Sequence, residues 1–171
     1  MKRFISVIFC FIMLFSFASC KKESEQPVAK KQDFVVEFEF NEEKSTGAKV
    51  CMMTSLPIGT LLDVDIFIGD KFHSTETVEV QADATGNFFV TESQKDADEK
   101  EIPDGNYILS FQLAQMSLQP SSVTELIGEN GELMQGNEVY ENTESEGKTI
   151  KFTRPIVKLN GNFTMPDGTE E

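Results

Sequence analysis

From residue 33 onward, apolar and polar residues alternate with a period of two, the pattern of strands with one face buried and the other in water. In Asp33–Asn41, Phe34, Val36, Phe38 and Phe40 share one face, and Glu37 and Glu39 lie on the other, which predicts a single strand. Ala48, Val50 and Met52 alternate with Lys49, Cys51 and Met53 in a second. The third turns Leu62, Val64, Ile66 and Ile68 inward and Asp63 and Asp65 outward. A fourth runs from Lys71 to Val80, with Val78 and Val80 as its buried positions. Phe88 and Val90 mark a fifth, and Tyr107, Leu109, Phe111 and Leu113 a sixth. Ile150, Phe152 and Ile156 mark a seventh, whose Pro155 suits an edge or a bulge. Between the strands lie Leu56-Pro57-Ile58-Gly59-Thr60, Gly69-Asp70 and Asp83–Asn87. These read as turns, because Pro presets φ and Gly tolerates positive φ. About seven short strands so punctuated predict an all-β fold, a single antiparallel sandwich with one solvated face per sheet.

One segment breaks the alternation. Pro120–Gly128 reads as a short helix, with Ser122 and Glu125 at capping-box spacing and Gly128 closing the C-terminus. It lies in a connection from Ala114 to Gly147, longer than joining two strands requires. The side chains of Met116, Leu118, Leu126, Ile127, Leu133 and Met134, with Val123, either cap one end of the core or form an apolar patch for a protein partner. In the second case Glu125, Glu129 and Glu132 rim the patch.

Residues 1–19 follow a different grammar. Met1-Lys2-Arg3 precedes an apolar run from Phe4 to Ala18, broken only by Ser6 and Ser16 and too short to span a bilayer. The run ends in Ala18-Ser19-Cys20, followed by Lys21-Lys22. This resembles the lipobox of bacterial lipoproteins, with Phe17 where Leu is usual. The resemblance implies cleavage before Cys20, fatty acylation of Cys20 and anchoring in the membrane of the bacterial envelope. Lys21 is not the Asp that retains enteric lipoproteins in the inner membrane, so the outer membrane is expected, on its periplasmic or surface face. Two or three acyl chains hold a protein stably where one does not. Without residues 1–19, Cys51 is the one cysteine besides Cys20, so an internal disulfide is excluded from the folded part.

Charge sharpens the division. Residues 20–32 (CKKESEQPVAKKQ) carry a net +2 and read as a linker, whereas residues 33–171 carry a net −18. The lysines suit anionic headgroups, and the acidic part would be repelled from them; solubility alone explains both blocks equally well. No basic stripe exists for nucleic acid. The expected organisation is a signal at 1–19, lipidated Cys and linker at 20–32, a sandwich at 33–159 and a polar tail at 160–171.

Leu56-Pro57-Ile58-Gly59-Thr60, together with Ile102-Pro103-Asp104-Gly105-Asn106-Tyr107, resembles secreted bacterial Ig-like modules. The resemblance implies an Ig-like sandwich over roughly 33–159 and no particular function.

Candidate chemistry is sparse. The single His73 falls on a polar strand face, and Cys51 lies in another strand with no pattern joining the two. One His and one Cys make a zinc site improbable, and no cofactor is expected. Asp63 and Asp65 share a face, and Asp96, Asp98 and Glu99 cluster in a loop without the spacing of a calcium-binding loop. The reading is a non-catalytic binding or assembly module; the alternative is a small envelope hydrolase using clustered carboxylates.

Overall fold

Alternation becomes strand across most of the chain, and where it does not, a specific side chain is responsible. The computed structural model describes residues 31–47, 49–92, 101–143 and 146–166. They belong to one compact unit, residues 31–171. Cys20, the signal and most of the linker lie outside the described residues, as does the Asp96, Asp98 and Glu99 cluster.

Among the described residues there are twelve strands rather than seven: β1 (Phe34–Val35), β2 (Phe38–Phe40), β3 (Lys49–Thr54), β4 (Leu61–Ile68), β5 (Lys71–Glu79), β6 (Gln81–Asp83), β7 (Gly86–Glu92), β8 (Gly105–Leu113), β9 (Met134–Gln135), β10 (Val139–Glu141), β11 (Lys148–Leu159) and β12 (Asn162–Thr164). Among the described residues one α-helix, α1, spans Ser121–Ile127. The fold is all-β and its two large sheets are antiparallel. One has four strands in the order β2-β3-β7-β6; the other runs β10-β11-β8-β4-β5, with β12 also on β11. β1 and β9 form a separate parallel pair.

The two large sheets bury their facing sides against each other. Four rings tie them together. Phe38 and Phe89 come from the four-stranded sheet, Phe111 and Phe152 from the other. Phe38 lies 4.3 Å from Phe152, Phe111 stacks on Phe152 at 4.5 Å, and Phe89 meets Phe111 edge-on at 5.5 Å, all centroid to centroid. Such pairs add about 0.5–1.5 kcal/mol each beyond the area they bury. Around them lie Leu62, Val64 and Ile66 of β4, Tyr107 and Leu109 of β8, and Ile150 and Ile156 of β11, all buried in the expected register.

Four expectations need correction. The strand expected over Asp33–Asn41 is broken in two. Ser55 Oγ accepts from Glu37 N (2.8 Å) and donates to the Val35 carbonyl (2.8 Å), so a side chain replaces the ladder at the break and β1 leaves for β9. In β7 it is Phe89, not Phe88 or Val90, that is fully buried; both of the latter are only half-buried, because pairing of Cys51 with Val90 and Met52 with Phe89 sets the register. On β3 Val50, Cys51 and Met52 are all buried, because the turn after β2 folds Ser45 over the outer face, where its Oγ accepts from Cys51 N at 2.9 Å. Finally, the polar tail begins later than residue 160: β12 pairs with β11 and buries Phe163 against Tyr107, ring to ring at 6.0 Å.

Pro155 sits where its missing N–H costs nothing. β10 pairs with β11 only as far as Ile150 and β12 only from Val157, so among the described strands β8 alone flanks Pro155.

Candidate functional site

The connection from Ala114 to Gly147 leaves β8 at the end of the two large sheets where β3 ends and β4 begins. It packs on the Leu56–Thr60 turn. Gly59 takes φ +87°, a left-handed conformation that glycine adopts without strain, and faces Pro120 and Val123 of the α1 region. Leu56 and Pro57 are buried beneath this contact.

Gln119 fastens the two segments. Its Oε1 accepts from Leu61 N at 2.9 Å, and its Nε2 donates to the carbonyls of Leu61 (2.8 Å) and Ala114 (3.1 Å). The amide thus acts as one extra rung on β4, inside a region sheltered from water. α1 follows at once. Pro120, not Ser122, is its N-cap, and no side chain caps it, so the capping box read from Ser122 and Glu125 is not formed. Gly128 does close it, donating its N–H to Thr124 O.

The candidate patch divides. Ile127 and Met134 are fully buried and belong to the core, which for these two residues favours the core-capping alternative over the patch: α1 turns Val123 and Ile127 inward, and β9 pairs Met134 with Phe34. Met116 and Leu133 are half-buried. Leu118 (61% exposed) and Leu126 (53%) face solvent. Ile58 of the adjoining turn is also exposed, at 57%. What remains is a smaller apolar surface on two adjoining segments, with Glu125 and Glu129 exposed beside it. Ile58 escaped sequence reasoning because the turn was read only as a turn.

The opposite end is locked rather than open. Tyr107 at the start of β8 donates its hydroxyl to the Pro103 carbonyl, and burial pushes its phenol pKa up. Buried Lys158 donates to Ile102 O at 2.8 Å, and Asp104 accepts from Asn160 N at 2.9 Å.

The other groups singled out for chemistry do not converge. Asp63 accepts from Thr77 Oγ1 at 2.6 Å and Asp65 from Thr75, so each carboxylate is held by its neighbour strand. Cys51 is buried in β3 and its thiol pKa is pushed up by desolvation, so it is a poor nucleophile. His73 is half-buried on β5. On the outer face of the four-stranded sheet, Lys44 bonds Asp83 and lies 5.4 Å from the Phe88 ring centroid. The Lys44 hydrogen bond, then those from the Thr85 hydroxyl and N–H, hold the Asp83 carboxyl well below the usual range. Among the described residues no three His, Cys, Asp or Glu are grouped to hold a metal, and no helix is long and apolar enough to cross a membrane.

An open groove of about 1120 Å³ follows β2. It is lined by Glu37, Glu39, Glu42 and Glu43 on one side and by Asn137, Glu138, Arg154 and Met165 on the other. Arg154 pairs with Glu138 at 3.3 Å and covers the Phe152 ring at 4.7 Å. No family model, curated protein or solved structure matches the chain.

Proposed function

We propose that this chain is a lipid-anchored protein of the bacterial envelope whose folded unit is an Ig-like, non-catalytic binding or assembly module. The strand order carries the reading of the fold. β2-β3-β7-β6 follows the A-B-E-D order of an Ig sheet, and β11-β8-β4-β5 the G-F-C-C′ order of its partner. The Tyr107 hydroxyl bonded four residues upstream at the start of the F strand has the form of a tyrosine corner. On this reading Leu56–Thr60 is the B–C loop and residues 114–147 are an enlarged F–G loop. Those are loops of the end that binds ligand in variable domains. The exposed Ile58, Leu118 and Leu126 give that end an apolar surface for a protein partner.

The anchor rests on Ala18-Ser19-Cys20 after the apolar run, with the outer membrane as destination and the lipid on Cys20 as the contact with it. Growth of expressing cells with a clickable fatty acid tests it. The parent chain becomes labelled and Cys20→Ala does not; label retained by Cys20→Ala would sink the anchor. Photocrosslinkers at positions 118 and 126, against one at position 63 on a strand face, test the binding end. Capture from position 63 alone would move the interface to the sheet.

A further inference from the structure

β1 and β2 lie along one edge of the molecule, and among the described residues only the first half of that edge is covered. Phe34 N donates to Leu133 O (2.7 Å) and Val36 N to Gln135 O (2.8 Å), so β9 occupies the outward backbone groups of β1. On the opposite side, Ser55 N donates to Glu37 O (3.1 Å) and Asn41 N to Cys51 O (2.9 Å). In an antiparallel ladder the residues alternate between facing the partner strand and facing away. Glu37, Glu39 and Asn41 therefore face β3, and the N–H and C=O groups of Phe38 and Phe40 point outward, in line with those of Phe34 and Val36. β9 does not continue over them. Gly136 takes φ +145°, and the place a Cβ would occupy is 2.7 Å from Val36 O, so only glycine passes there and the chain turns away to β10.

We propose that this free edge of β2 accepts an extended segment of a partner protein, with basic and apolar residues in alternation, as an added β-strand. The groove supplies the room: it runs along this edge, and Asn137, Glu138 and Arg154 also line it. Its length is set at both ends. β9 closes one, and Glu42 Oε1, accepting from Met165 N at 3.3 Å, closes the other. Glu37 to Asn41 is left, roughly 17 Å of strand at about 3.4 Å per residue.

The chemistry of the segment follows from the two faces. Glu37 and Glu39 are exposed on the outer face, and among the described residues no cation forms a salt bridge with them. Phe38 and Phe40 are half-buried on the inner face. An added strand would thus place basic side chains beside the glutamates and apolar ones against the ring edges. The same glutamates discourage a second copy of this chain, which would bring like charges opposite each other. The selection is against self-pairing and for a basic strand.

The test uses the full chain in detergent and a fluorescent peptide alternating lysine and valine over about seven residues, enough to span the free edge. Anisotropy should show binding that weakens with salt. The double substitution Glu37→Lys with Glu39→Lys, at exposed positions, should weaken it by about tenfold or more. Peptides N-methylated at every second amide separate strand addition from charge attraction. Methylation in one phase removes the donors that face β2 and should abolish binding; in the other phase it should leave binding intact. No binding at all, equal binding in both phases, or unchanged binding to the charge-reversed chain would overturn the proposal. So would sedimentation showing a dimer of this chain that excludes the peptide.

Discussion

Gln119→Leu removes a side-chain amide while keeping the volume near that of glutamine. Three hydrogen bonds disappear. Their consequences differ. The Leu61 carbonyl keeps a partner, since Ala114 N still donates to it at 3.1 Å. Leu61 N and the Ala114 carbonyl lose the bonds Gln119 made with them, and of the two residues Ala114 is buried and Leu61 half-buried. A buried polar group left unpaired costs about 1–3 kcal/mol. The two together set the expected loss at about 3 kcal/mol, near 6–12 °C in midpoint for a chain of this size. Urea unfolding followed by far-UV circular dichroism measures it. Hydrogen exchange adds a local readout, because the Leu61 amide should lose protection while the Leu109 amide keeps it. Gln119→Glu sharpens the argument. It retains an acceptor for Leu61 N but turns a carboxylate oxygen toward two carbonyls, so its cost at neutral pH should exceed that of Gln119→Leu. Acid should shrink the deficit, because protonation restores one donor. A loss below about 1 kcal/mol for Gln119→Leu, or a Gln119→Glu deficit that ignores pH, would refute the view that this amide splices the connection to β4.

Leu109→Ala should cost about 3–5 kcal/mol, Phe38→Ala somewhat less because its ring is half-buried, and Glu37→Ala under about 0.5 kcal/mol, all by chemical denaturation; equal costs at 37 and 38 would reverse the β2 register. Lys44→Ala should raise the Asp83 pKa only partway toward the ordinary value, since the Thr85 hydroxyl and N–H still bond the carboxylate. A depressed carboxyl pKa stabilises the fold above the unfolded-state value of about 3.9 and ceases to as pH falls through the folded-state value. Carboxyl-detected NMR titration of both chains checks the shift, and an unmoved Asp83 would refute the assigned cause.

Alternation was a sound guide where one face of a strand meets the core and the other meets water. β4, β8 and β11 satisfy that condition, and Leu62, Val64, Ile66, Tyr107, Leu109, Phe111, Ile150, Phe152 and Ile156 lie as the pattern implies. It misled where a third element intervenes. Cys51 sits on the face that should be wet, but Ser45 covers it, and no spacing in the sequence announces that cover. Phe34 to Phe40 alternate without interruption, yet one hydroxyl from Ser55, nearly twenty residues away, divides them. In β7 two adjacent phenylalanines fit either register, and only pairing with β3 chooses between them. The connection after β8 was recognisable by its length and apolar content. Which of its side chains stay outside was not, since Leu126 and Ile127 are neighbours separated only by the rotation of a helix that lasts seven residues. The groove beside β2 left no trace in the pattern, because backbone groups without partners have no letter of their own.

The break between β1 and β2 also governs how the unit would respond to mechanical load. The chain enters β1 through residues 31–33, so tension from the N-terminal side arrives first at β1, held by Phe34–Leu133, the Ser55 bond to the Val35 carbonyl and Val36–Gln135 in that order. The backbone bonds of Phe34 and Val36 join β1 to β9, and among the described strands β1 pairs with neither large sheet. Stretching the molecule would strip β1 away and release a short length of slack while the four-ring core stayed closed. The next resistance is the Ser55 bond from Glu37 N, backed by β2 held against β3. β1 is thus placed as a fuse: it yields early and locally, and the sheets behind it bear the load only when that bond lets go.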